Sequence, residues 1–288
     1  MTPSMPIVSS LPVKIVVAGA SGRMGRLLIE ALLSDSPPAQ VPGLPPLCLS
    51  GALDVAGSAA VGQDAGASSG RRSGIAITDQ LALGLAGADV LIDFSRPEGT
   101  LGHLAACRDL GMRAVVGTTG LSPQQKDEVQ EHARHIGIVL AANMSVGVNV
   151  MLRLLDQAVR ALGKGYDIEL IEAHHKHKVD APSGTALAMG EVLAQARGVT
   201  LDAEGVFARH GHTGPRSEGS IGFSTVRGGD IVGEHTVMFA GTGERLEISH
   251  KSSSRANYVD GSFRAARFLV GCGPGLYGMA DVLTTERP

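Results

Sequence analysis

VKIVVAGASGRMG, from Val13 to Gly25, decides the fold. Its first six residues are a β-branched run closed by glycine, the pattern of a strand buried on both faces. Arg26 to Leu33 has helical spacing, so the stretch reads as strand, glycine turn, helix. The bare backbone N–H groups of GASGRMG then stand at a helix N-terminus, where the dipole favours an anion such as a pyrophosphate. The spacing is GxxGxxG rather than GxGxxG, and a purely structural tight turn uses the same residues.

Outward from this turn, CLSGALD (Cys48 to Asp54) reads as a second strand, with Asp54 placed to bond the two ribose hydroxyls of an adenosine. Buried-type strands follow at Asp89 to Phe94, Arg113 to Gly117 and Ile136 to Ala142, separated by helical segments near Thr100 to Leu110 and Pro123 to His135. The alternation predicts an α/β fold with a Rossmann-like, doubly wound parallel sheet. Ser34 to Pro46 holds five of the 14 prolines and Gly57 to Gly74 is rich in Gly and Ser, so both read as surface loops. The first loop explains why Asp54 lies farther along than the usual ~20 residues. The turns at Gly117 to Gly120 and Ala141 to Met144 fall at C-terminal strand ends, where open sheets bind ligands, although ordinary loops stand there too.

After Asn143 the pattern changes. Val148 to Leu162 reads as a helix, Asp167 to Ala173 as a half-exposed strand, and Ala186 to Arg197 as a helix closed by Gly198. Ile221 to Arg227, His235 to Ala240 and Glu244 to His250 read as strands in antiparallel hairpins. The spacing predicts a last helix whose Val259, Phe263, Ala266 and Val270 share one face and return to the first domain. The expected division is a dinucleotide-binding domain of residues 1–145 and 256–288 and a substrate and oligomerisation domain of residues 146–255. The second is α+β, with a mixed, largely antiparallel sheet.

Composition narrows the function classes. In 288 residues, 25 Lys and Arg nearly cancel 28 Asp and Glu, with no basic block, which disfavours a nucleic-acid binder. No apolar run reaches the ~18 residues of a membrane helix. The start, MTPSMPIVSSLPVK, lacks a cationic head before an apolar stretch, so a cytoplasmic protein is expected. Cys48, Cys107 and Cys272 are unclustered and fit neither a disulfide framework nor a zinc knuckle.

The densest chemistry is ELIEAHHKHKVDAPSGTA, Glu169 to Ala186. His174, His175 and His177 invite a metal, but the interleaved Lys176 and Lys178 oppose a second cation, so no metal is expected. The segment also reads as a solvated charged loop. Its functional reading has His174 and Lys178 supplying protons while the cationic cluster attracts an anionic substrate. Pro182 to Thr185 then opens a helix whose N-terminus suits a carboxylate.

This segment resembles the signature of the 4-hydroxy-tetrahydrodipicolinate reductase (dihydrodipicolinate reductase) family. GASGRMG, DFSRPEGT (Asp93 to Thr100), VGTTG, AANMSVGVNVM, GHTG (Gly211 to Gly214) and GEHTVMFAGTGERLEISHKSSSR resemble it in the same order. The resemblance implies a homotetramer built through the substrate domain, and hydride transfer from NADH or NADPH to a cyclic imine dicarboxylate with loss of the 4-hydroxyl as water. It implies His174 as proton donor and acceptor and Lys178 as second donor, with His175, Ser183, Gly184 and Thr185 on the substrate. Implied cofactor contacts are Gly19, Ala20, Ser21, Gly22, Arg23, Met24, Asp54, Gly117, Thr118, Thr119, Ala141, Ala142, Asn143 and Met144. Val55 stands where relatives that grip NADPH often carry arginine, so NADH should serve at least as well, with Arg23 the nearby cation that could reverse this. Among rivals, a semialdehyde dehydrogenase needs a cysteine at the cleft, and none of the three is so placed. A non-catalytic dinucleotide sensor needs neither His174 nor Lys178.

Overall fold

The computed structural model describes residues 11–36 and 38–284. Most of the start read for a leader (residues 1–10), Pro37 of the proline-rich loop and residues 285–288 of the first domain lie outside them. The first elements are β1 (Val13–Ala18), α1 (Arg23–Leu32), β2 (Leu47–Leu53), β3 (Ile77–Thr78), α2 (Leu81–Gly84), β4 (Val90–Asp93), α3 (Pro97–Leu110), β5 (Arg113–Val116), α4 (Pro123–Ala133) and β6 (Gly137–Leu140). Next come α5 (Val146–Leu162), β7 (Asp167–His174), α6 (Gly184–Arg197), α7 (Leu201–Glu204), β8 (Gly205–Val206), β9 (Ile221–Arg227), β10 (Gly233–Ala240) and β11 (Arg245–Ser252). The chain closes with α8 (Ala256–Val270), β12 (Gly275–Tyr277) and α9 (Met279–Val282). It divides into two compact units, one running to Val146 and resuming at Ala256, the other Gly147–Arg255.

The first unit is a parallel Rossmann-like sheet in the order β12-β6-β5-β4-β1-β2-β3. Ile15 and Val17 pack with Leu28 and Ile29 of α1 and Phe263 and Ala266 of α8. Val16 and Ala18 face the other way, into the layer of Leu104 on α3 and Val129 on α4. Burial on both faces is why β1 is apolar throughout rather than alternating. β1 lies between β2 and β4, where the strand order reverses and open sheets bind ligands. On α8, Val259, Phe263 and Ala266 enter the core as expected, but Val270 at the helix end is 37% exposed and Leu269 is buried instead. β3 and β12, of two and three residues, are set by pairing with β2 and β6 and are too short for a periodic pattern.

Two loops are organised by single side chains. Prolines have no N–H and build no ladder; Arg267 of α8 collects carbonyls of the proline-rich loop, donating to Pro38, Ala39 and Pro45. The Gly/Ser-rich loop wraps Asp64, whose carboxylate accepts the N–H groups of Gly66, Ser73 and Gly74.

The second unit has a mixed sheet ordered β11-β10-β7-β9-β8. The β10–β11 hairpin is present and β10 pairs antiparallel with β7. Ile221 to Arg227 departs from the hairpin expectation: β9 pairs parallel with β7, on the edge away from β10, and β8 pairs parallel with β9. The glycines before β10 carry the chain past β7 rather than turning it into a hairpin. Val148, Met151 and Leu155 of α5 and Met189 and Leu193 of α6 pack on Ile168, Leu170, Phe223, Val237 and Phe239. The strands' other face leaves Ile171 and Val226 exposed.

Candidate active site

In the first unit the glycine turn is built by backbone necessity. Gly19 sits at φ +71°, a conformation L side chains rarely adopt. A Cβ on Gly25 would lie 2.1 Å from the Gly19 carbonyl oxygen, so glycine lets α1 close onto the turn. α1 begins after Gly22 with no side-chain cap and no acid in its first turn, which leaves the positive end of its dipole for an anion. The Ser21 N–H donates to Asp54 Oδ2 at 2.8 Å, and Oδ1 accepts the Val55 N–H at 2.8 Å. Asp54 therefore fixes the turn as well as facing the cleft.

That cleft, about 980 Å³, is lined by Gly19, Ser21, Gly22, Arg23 and Asp54. Asp79, Phe94, Arg96 and His103, none singled out from the sequence, line it too. Phe94 and Arg96 follow the C-terminal end of β4, beside β1, and the DFSRPEGT motif held the signal for them. Asp93 is fully buried beneath the cleft and bonded to His103 Nδ1 at 2.8 Å. Burial pushes its carboxyl up, but bonds from His103 and Ser95 outweigh this and hold it below the usual range.

Several expected cofactor residues turn their side chains elsewhere. Ala20 is buried, Met24 packs on the core, and Met144 is 1% exposed within it, so all three offer only backbone. Thr118 is buried with its hydroxyl 2.8 Å from that of Thr100. A Cβ on Gly117 would meet the Phe94 ring at 2.3 Å, which makes this glycine a seat for Phe94. Thr119 and Ala142 are exposed, Ala141 is half-buried, and Asn143 Oδ1 accepts the Ser145 N–H at 2.8 Å. These two turns follow β5 and β6 on the same sheet edge and do not line the 980 Å³ cleft.

In the second unit β7 ends at His174. Its inward register is Ile168, Leu170, Glu172, so the alternation carries a carboxylate into the core at 1% exposure. Glu172 Oε2 lies 2.7 Å from His174 Nδ1 and accepts from Arg227 at 2.8 Å. Its Oε1 accepts from Arg227 at 2.8 Å and from the Ser183 N–H at 3.1 Å. Burial pushes the Glu172 carboxyl up, but these donors outweigh it and keep it below the usual range. An ionised Glu172 accepts only, so His174 carries a proton on Nδ1 and keeps Nε2 on the ring edge away from Glu172. Gly233 makes room for that edge, since a Cβ there would stand 3.1 Å from Nε2.

Ser183, expected on the substrate, is 2% exposed; its hydroxyl accepts the Ala186 N–H as the α6 N-cap and bonds His235 Nε2 at 3.0 Å. It shapes the helix start rather than reaching outward. Gly184 is exposed and Thr185 half-buried in the first turn of α6. His235 is buried edge-on to His174 at 5.2 Å, and burial, then His174, push its pKa down to about 4. Lys178 pairs through its Nζ with Asp180 at 2.8 Å. The His175 and His177 rings lie 6.2 Å apart, tilted at 43°, and His175 Nδ1 is buried without a protein partner. Among the described residues no group of three or more His, Cys, Asp or Glu is arranged to hold a metal ion. Glu172 was legible as an acid at a core register position; Arg227 and His235 carried no local signal.

A family profile described as "Dihydrodipicolinate reductase, N-terminus" matches residues 13–144, and "Dihydrodipicolinate reductase, C-terminus" matches residues 147–283. The chain is 62% identical over 269 residues to the 4-hydroxy-tetrahydrodipicolinate reductase of Cupriavidus taiwanensis, covering 93% of this chain and 98% of that one. It is 56% identical over 270 residues to the reductase of the same name from Ralstonia nicotianae, covering 94% and 99%. The solved dipicolinate-bound dihydrodipicolinate reductase from Paenisporosarcina sp. TG-14 superposes with a TM-score of 0.71 at 21% identity, covering 95% and 100%. An amine dehydrogenase from Mycobacterium smegmatis gives 0.57 at 14% identity, covering 96% and 97%. These two likenesses concern the fold.

Proposed function

This chain belongs to the dihydrodipicolinate reductase family, and on that premise we propose how its residues divide the work. The enzyme is an oxidoreductase that reduces 4-hydroxy-tetrahydrodipicolinate to tetrahydrodipicolinate with NAD(P)H and releases water, in bacterial diaminopimelate and lysine biosynthesis. Residues 1–145 and 256–288 form its dinucleotide domain; residues 146–255 form the substrate and oligomerisation domain of a cytoplasmic homotetramer. Support for the assembly is the second sheet's outer face, which no helix of that unit covers and where Ile171 and Val226 are exposed.

The glycine turn fits a pyrophosphate, because α1 opens with neither a capping side chain nor an acid. Gly19, Ser21, Gly22 and Arg23 hold it, with backbone from Ala20 and Met24, and Asp54 takes the adenosine ribose. Gly117, Thr118, Thr119, Ala141, Ala142, Asn143 and Met144 form the rest of the cofactor track. When bound, the reduced nicotinamide supplies the hydride.

Loss of the 4-hydroxyl as water leaves a conjugated imine, whose reduction takes one proton with each hydride. His174 gives that proton from Nε2 when its ring is doubly protonated, keeping the Nδ1 proton on Glu172, and Lys178 is the second donor once it leaves Asp180. His175 and the first turn of α6, Gly184 and Thr185, bind a substrate carboxylate, while Ser183 caps that turn. One observation carries the reading: the Ser183 N–H reaches back to Glu172, so the start of α6 meets the end of β7, where His174 stands. Removing a general acid costs about 10² to 10⁴ in rate. His174→Gln and Lys178→Met should each lower kcat at least ~10²-fold, followed as NADH absorbance with enzymatically generated substrate, while NADH still binds. His177→Gln, in the same cationic cluster, should stay near full activity. Equal mildness in all three would reduce the cluster to an electrostatic attractor.

A further inference from the structure

Glu172 is nearly inaccessible, so it cannot touch substrate, yet it makes more polar contacts than any proposed catalytic group. One oxygen meets His174 Nδ1 and one Arg227 nitrogen; the other meets the second Arg227 nitrogen and the Ser183 N–H. Burying a carboxylate is costly unless charge and hydrogen bonds answer it. If its purpose were packing, an apolar residue in line with Ile168 and Leu170 would serve at no such cost.

We infer that Glu172 is a positioning residue: its carboxylate, braced by Arg227, holds His174 through Nδ1 so that Nε2 stays on the far ring edge, and through the Ser183 N–H ties the first turn of α6 to the same point. One side chain thereby sets the proton donor and the carboxylate cradle in a common frame. Arg227 arrives from β9, where it pairs in register with His174, so the brace depends on the parallel β7–β9 pairing. The inference rests on the assignment of His174 as the acid.

The charged and titratable groups around the imidazole come from five places. They are Glu172 on β7, Arg227 on β9, His235 on β10 with His250 opposite it on β11, and the Lys178–Asp180 pair in the turn after β7. Of these, Glu172 is the anion in direct contact with His174.

In Glu172→Gln the amide can donate to His174 Nδ1 and reverse its tautomer. kcat should fall roughly 10²-fold, and the limb of the kcat–pH profile that reports His174 should move to lower pH. Added to His174→Gln, the substitution should cost almost nothing further in kcat, because the amide oxygen still accepts the Ser183 N–H and only the hold on residue 174 is lost. A full multiplicative loss in the double variant, or an unmoved limb, would mark Glu172 as merely structural and overturn the inference. Should Glu172→Gln not fold, ¹⁵N spectra of histidine-labelled unaltered enzyme decide, with His174 assigned by difference against His174→Gln. The inference requires a protonated, hydrogen-bonded Nδ1 at neutral pH; a proton on Nε2 alone would end it. If His174→Gln is as active as the unaltered enzyme, the acid assignment itself fails. If His174→Gln is impaired while Glu172→Gln is not, only the positioning role fails.

Discussion

Asp54 shows how one residue serves two ends. Its carboxylate is held by the Ser21 and Val55 N–H groups, which aims it while leaving lone pairs for ribose hydroxyls. A 2'-phosphate in the same place meets a carboxylate, with Asp79 a second acid in the cleft. Val55, exposed beside Asp54, brings no charge, and the cations available are Arg23 and Arg96. NADH should therefore give a kcat/KM at least equal to that of NADPH, and Arg96→Ala should lower NADPH use more than NADH use. A clear NADPH preference in the unaltered enzyme would show that one of these arginines outweighs the acids. Arg23 was visible from the sequence because it sits inside the glycine turn. Arg96 stood in the DFSRPEGT stretch without being tied to the turn, because only the β1–β4 pairing brings the end of β4 to the turn's side.

At the scale of elements, the second unit's sheet shows what pairing decides. α5 and α6 cover one face, and Ile171 lies on the other, between Thr236 of β10 and Ser224 of β9. Such a face is rarely left wet in the centre of a sheet. Ile171→Arg places an unpaired charge where the proposed assembly buries this face. The native mass by light scattering should then drop from four chains to fewer, with the unit still folded by circular dichroism. An unchanged tetramer would place the assembly on another surface. The helix starts were legible to within a few residues, since Ser183 and Gly198 mark the ends of α6 by local chemistry alone. The partner of β9 was not, because glycines before β10 signal a turn without saying which strand receives the chain.

For the whole molecule, buried polar groups set the pH response of stability. Folded His235 protonates only near pH 4, against about 6.5 for an exposed histidine. Between those values the unfolded chain binds the extra proton, so this residue's contribution to stability is lost as pH falls from 6.5 toward 4. The full span is about 3 kcal/mol. The Tm of the unaltered enzyme should fall more steeply over that window than the Tm of His235→Gln. Parallel curves would show that His235 is not the group responsible.

What the sequence by itself determined was local: buried strands alternating with helices, a glycine turn that only glycines can make, and a histidine–lysine segment leading into a capped helix. These follow from backbone sterics and from side-chain periods of 2 and 3.6 residues, which act between near neighbours. What the tertiary structure decided was partnership. Arg227 reaches Glu172 from 55 residues away, and the Ser183 hydroxyl finds His235 on another strand. A buried carboxylate must find its counter-charge wherever the sheet register brings one, and the chain fixes that register only once both helices and all five strands of the second sheet share a core.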